Sequence, residues 1–186
     1  FRRSPVTMVA TLVAIAAIAA SVFAPWVAPH QPFDVASVNL SDGFTPPAWS
    51  EGGRITYPLG TDDQGRDVLS TILYGARISL GVSVAAVALS LVVGVGLGLV
   101  CGFVGGRLDA FIMRIADVQL SFPAFLIALL VDGVGRVALP KDSHDQLAIP
   151  VLVLALALAG WVQYARTVRG STLVEKSKEY VQAARI

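Results

Sequence analysis

Asp117 is an ionisable side chain well inside a run of apolar residues, where a charge is costly enough that it normally faces protein or water rather than lipid. Arg114, three residues earlier, offers a local ion pair on the same helix face. A place on a polar pathway is the other reading, and both stay open. Ser121-Phe122-Pro123 follows; a proline there removes a ladder hydrogen bond and kinks the helix in mid-membrane, beside a pathway or for structure alone. His30 and His144 stand in polar loops, with no HExxH, no GxSxG and no cysteine or histidine at ligand spacing. They read as solvated loop side chains. The single cysteine, Cys101, permits no internal disulfide and no zinc site of its own. Gly94-Val95-Gly96-Leu97-Gly98 lacks the GxGxxG spacing and a preceding strand, and no GxxxxGK[ST] occurs, so no phosphate cradle is expected. Without a catalytic constellation, the chain is expected to be a non-enzyme that binds no cofactor itself.

The elements around these residues are membrane-spanning. Of 186 residues, 55% are apolar and 15% charged, against roughly 45 to 50% and 25% in a soluble domain. The mean hydropathy is +0.69. The net charge of +1, from 14 basic and 13 acidic residues, is too balanced for a nucleic-acid surface. Four runs are predicted to cross a bilayer: Val6–Val27, Ile78–Val104, Phe111–Val131 and Leu147–Ala165. The first gives about 33 Å of helix against a hydrocarbon core of about 30 Å, longer than a signal-peptide core, and reads as a retained anchor. A start at Phe1 rather than Met leads us to expect further cytosolic residues ahead of it. Placing both termini inside puts nine of the 14 lysines and arginines in inside segments, as the positive-inside rule requires.

Ala28–Arg77 must then be an outside loop, with Asp67–Tyr74 a short interfacial helix leading into the second span. Gly94, Gly98 and Gly102 form a strip on one face of that span, where small residues let another backbone approach; we expect helix packing there, as an assembly surface toward a partner subunit. From Leu173 to Ile186 apolar and polar residues alternate at helical spacing. The apolar side is mild, which fits a groove on a cytosolic protein better than a lipid surface.

Glu179-Tyr180-Val181-Gln182-Ala183-Ala184-Arg185 resembles the start of the EAA motif of binding-protein-dependent ABC importer permeases, placed after the fourth span. Leu59 to Val68, with Tyr74 to Leu80, is similar to the segment before the second span of the dipeptide/oligopeptide/nickel permease family, in its C-type subunit. Asp109-Ala110 through Arg114, Asp117 and Phe122-Pro123 resembles that family's third span. The resemblance implies an all-α membrane protein with the type I ABC importer transmembrane fold, four of six spans being present here. It implies an anchor and outside loop over residues 1–57 and a permease core over 58–186, interrupted inside the coupling segment before the glycine the motif would place at position 188.

By the same resemblance, Glu179, Tyr180, Val181, Ala183, Ala184 and Arg185 would couple to an ATPase. Asp62, Gly65, Arg66 and Asp67 would form an outside gate or a docking site for a binding protein. Asp117, Phe122 and Pro123 are candidates for the pathway. The expected partners are a second permease subunit, two ATPase domains carrying ATP and Mg, an extracytoplasmic substrate-binding protein and the lipid of a bacterial cytoplasmic (inner) membrane. A peptide importer is the function implied. A polytopic channel or scaffold subunit with a cytosolic partner-binding helix is the alternative. An intramembrane enzyme would need an ionisable companion for Asp117 at membrane depth.

Overall fold

The computed structural model describes residues 4–34, 38–138, 140 and 144–183, without the side chains of 144, 145 and 182. The described residues are helical apart from loops and one isolated bridge between Thr61 and Asp67. The α-helices in chain order are α1 (Pro5–Val22), α2 (Ala24–Val27), α3 (Val68–Val104), α4 (Gly106–Leu120), α5 (Ala124–Ala138), α6 (His144–Lys176) and α7 (Glu179–Ala183), with a 3-10 turn at Leu40–Asp42. Two compact units divide the chain, Phe1–Gly81 and Val82–Ile186.

In the first unit, α1 starts with a proline in its first turn, where a missing N–H costs nothing, and its apolar side chains are exposed along its length. Such a surface is solvated by lipid. The expected first span is interrupted at Phe23, beyond which α2 adds one turn. The separate interfacial helix expected over Asp67–Tyr74 is not there: those residues are the cap and opening turns of α3. At 37 residues, α3 is about 55 Å long and outreaches the hydrocarbon core.

In the second unit the expected third span is two helices. α4 and α5 meet at Ser121–Pro123 with a bend of 95°. The expectation of one kinked helix is thus corrected to a break. Proline has no N–H to continue the ladder and its ring collides with the carbonyl four residues back; the chain instead closes α4 with bonds from the Ser121 and Phe122 N–H groups to Val118 and Gln119. At 15 residues each, neither arm alone crosses about 30 Å. Among the described residues three helices are long and apolar enough to span by themselves, and the bent pair makes a fourth if counted as one. A small core of Ala116, Trp161, Val162 and Ala165, with Leu97 and Ile112 packed against it, joins α3, α4 and α6.

The amphipathic helix expected from Leu173 onward is also corrected. Leu173–Lys176 is the last turn of α6, a bend intervenes at Ser177–Lys178, and α7 is a separate five-residue helix.

Candidate functional site

The outside-loop residues form a built turn. Asp67 is buried and caps α3, its Oδ2 accepting from the Ser70 N–H at 3.0 Å and the Ser70 hydroxyl at 2.5 Å. Asp62 accepts from the Gln64 and Arg66 N–H groups, each at 2.9 Å, and pairs with the Arg66 guanidinium at 2.7 Å. Burial on its own would raise the Asp62 carboxyl. The Arg66 and Gln64 N–H groups and the Arg66 charge outweigh it and hold the group below the usual carboxylate value. Gly65 sits at φ +79°, and a Cβ there would lie 2.1 Å from the Asn39 carbonyl oxygen, so only glycine fits. Asp62 and Arg66 are half-buried and Asp63 and Gln64 exposed. Of this segment, Asp67 is the buried carboxylate that caps α3.

His30 is not the solvated side chain expected. Its backbone N–H donates to the Ser70 hydroxyl at 3.1 Å, its side-chain Nδ1 lies 3.7 Å from Asp67 Oδ2, and its ring is 5.2 Å from that of Tyr57. Tyr57 donates to Asp42, which also pairs with Arg54 at 2.8 Å. Burial first, then the bond to Asp42, pushes the Tyr57 phenol above its ordinary value. The loop is thus tied to the start of α3 through residues 30, 57, 67 and 70. His144 lies outside the described side chains.

The glycine strip meets α6 of this same chain. A Cβ on Gly94 would stand 2.6 Å from the Trp161 carbonyl oxygen, one on Gly98 2.6 Å from that of Ala165, and one on Gly102 2.6 Å from Thr172 Cβ. The approach is as close as small residues permit, but the neighbour is an internal helix and not the partner subunit expected. The Ser90 hydroxyl extends the contact, donating to the Ala157 carbonyl at 3.1 Å.

Asp117 pairs with Arg166 of α6 rather than with Arg114. Two further polar ties join the same helices. Asp109 accepts from Arg169 through both oxygens, at 2.5 Å and 2.6 Å. Gln119 accepts from the Trp161 indole at 2.9 Å and donates to the Leu158 carbonyl at 2.6 Å. Sequence reasoning missed Asp109, Arg166, Arg169, Gln119 and Trp161 as partners. The only signal available was opposite charge on two neighbouring spans, which does not select a pairing. Phe122 is exposed beside the break and lines a hollow with Arg114, Ile115, Val118, Ile127 and Leu158. Pro123 opens the next helix, its carbonyl accepting from Leu126 at 2.9 Å.

At the C-terminal end, Glu175 brackets the bend between α6 and α7, accepting from Lys178 Nζ at 2.6 Å and the Tyr180 hydroxyl at 2.8 Å. Lys176 donates to the Phe103 carbonyl at 2.5 Å, adding a cation at the C-terminus of α3. Glu179, Tyr180 and Ala183 are exposed and Val181 half-buried. Ala184 and Arg185 lie outside the described residues. Among the described residues no group of three or more His, Cys, Asp or Glu could hold a metal.

Residues 94–186 match the family described as Binding-protein-dependent transport system inner membrane component, and residues 1–47 match the N-terminal TM domain of oligopeptide transport permease C. The chain is similar to the Di/tripeptide transport system permease protein DppC of Pseudomonas aeruginosa, 36% identical over 89% of this chain and 50% of that one. It is similar to the Oligopeptide transport system permease protein OppC of Bacillus subtilis, 35% identical over 99% and 54%. The Dipeptide transport system permease protein DppC of Escherichia coli K12 is 39% identical over 100% and 58%. The chain spans about half the length of these curated relatives. By these matches the chain belongs to the family of binding-protein-dependent transport system inner membrane components, and its helices make it a multi-pass protein with the N-terminal region of the permease C subunits.

Proposed function

We propose that this chain is part of a permease subunit of an ATP-driven importer of dipeptides or oligopeptides, supplying half of the translocation pathway and having no catalytic chemistry of its own. The relatives are named as dipeptide and oligopeptide transport permeases, and cargo of that class is carried over from them. A second permease subunit completes the pathway, an extracytoplasmic binding protein delivers the peptide, and two ATPase subunits hold ATP and Mg. The N-terminus lies in the cytosol of the bacterium, which puts the 28–67 loop outside and α7 inside. The half-buried Asp62–Arg66 turn with exposed Asp63 and Gln64 serves as the outside docking element.

The observation that carries the reading is the run of α6 into α7. A 33-residue helix, about 50 Å long, leaves the apolar zone and ends in a short exposed helix with the composition of a coupling segment. On its way it is packed on α3 and tied to α4. ATPase closure pushes α7, and α6 carries the displacement to the helices that line the path.

The test is uptake of labelled dipeptide into proteoliposomes holding the complete subunit, its partner permease, the ATPases and the binding protein. Uptake that requires ATP, binding protein and this subunit together is expected. A complex that hydrolyses ATP yet accumulates no dipeptide or oligopeptide would contradict the assignment.

A further inference from the structure

α4 is a short strut with a joint at each end. Gly105 and Gly106, at φ 69° and 64°, make the turn that enters it, and the 95° break at Ser121–Pro123 ends it. Positive φ at two successive glycines and a proline break interrupt the helical ladder on both sides of α4. The position of α4 is therefore set by its sideways contacts. The polar ones fall on α6 in antiparallel order: Asp109 with Arg169, Asp117 with Arg166, and Gln119 with Trp161 and the Leu158 carbonyl. The apolar contact beside them is small, Ala116 being the only buried residue of α4. Alanine-sized packing tolerates sliding, whereas a bidentate guanidinium–carboxylate pair fixes distance and direction together.

We propose that the Asp109–Arg169 and Asp117–Arg166 pairs form a clasp that carries movement of α6 into α4, so that Asp109 and Arg169 are positioning residues for transport. The inference rests on the importer reading above. The Asp109 and Arg169 side chains are 15% and 32% exposed and those of Asp117 and Arg166 54% and 45%. Their use lies in register. Neutralising one should uncouple the helices without unfolding them.

The experiment uses the complete subunit in the reconstituted complex and compares the parent with Asp109→Asn, Arg169→Gln and the reversed pair Asp109→Arg with Arg169→Asp. Each single variant should keep basal ATP hydrolysis and lose about tenfold in the stimulation by peptide-loaded binding protein, a loss within the usual range of coupling between sites. The reversed pair should recover most of it. A second arm places cysteines at positions 109 and 169 in a Cys101→Ala background and bridges them with a reducible bifunctional thiol reagent. Stimulation should return on bridging and vanish on reduction. Single variants as well coupled as the parent, or bridged and reduced forms that behave alike, would overturn the clasp while leaving the importer intact. A parent without peptide-dependent stimulation would overturn both.

Discussion

Gly98 and Asp62 show how single residues are committed by their surroundings. A side chain at Gly98 meets the Ala165 carbonyl at 2.6 Å and Val168 Cβ at 2.9 Å, and backbone cannot yield as a flexible side chain would. Gly98→Leu should insert, since leucine suits lipid, but force α3 from α6 at a cost of about 1 to 3 kcal/mol. A lowered melting midpoint in detergent, with unchanged membrane yield, is the expected outcome; an unchanged midpoint would mean the strip is not packed. For Asp62 the sign follows from its lowered carboxyl. A group depressed in the folded state contributes stability above its ordinary unfolded value and loses it as pH falls through the folded one. Hydrogen exchange at the Gln64 and Arg66 amides, corrected for intrinsic rates, should therefore show full protection above about pH 4 and a loss below it. Asp62→Asn should be unprotected throughout, and a pH-independent parent would contradict the turn. The charges themselves were legible in the sequence, and their partners were not. Asp117 has Arg114 nearby in sequence and Arg166 nearby in space, and only the packing of α4 on α6 decides between them. His30 finds Asp67 and Ser70 in the same way, some 40 residues on.

Elements were legible where a long apolar run has one way to satisfy its backbone. The spans over α1, α3 and α6 follow from that rule, although their ends do not. α3 begins ten residues before the predicted span because Asp67 and Ser70 cap it there. At the third span proline's local cost was visible and the direction of the following helix was not, since that depends on what α5 packs against. Pro123→Ala tests the cause of the break. Restoring the N–H should let α4 run on into α5, and spin labels at positions 108 and 134 should move apart, toward the about 39 Å of a straight helix of that length. Transport should fall with the bend lost. A distance equal to the parent's would assign the break to packing on α6 and not to the proline.

Over the molecule as a whole, orientation and coupling belong together, because α7 can meet a cytosolic ATPase only if the termini lie inside. Cysteines at Ser50 and Ser171, both exposed, in a Cys101→Ala background should label differently with an impermeant thiol reagent on spheroplasts: position 50 reacts and 171 is silent until the membrane is opened. The reverse would invert the topology. The central claim is that α7 receives the ATPase stroke and α6 conveys it to the strapped helices. A contact that transmits force is packed, so bulk at exposed Ala183 should do more harm than removal of a rim charge, which is often worth about 1 kcal/mol or less. The decisive measurement is ATP hydrolysis by the reconstituted complex with and without peptide-loaded binding protein, in the parent, Ala183→Trp and Glu179→Gln. Ala183→Trp should assemble in the membrane and lose the stimulation while Glu179→Gln keeps most of it; full stimulation in Ala183→Trp would contradict the coupling role of α7.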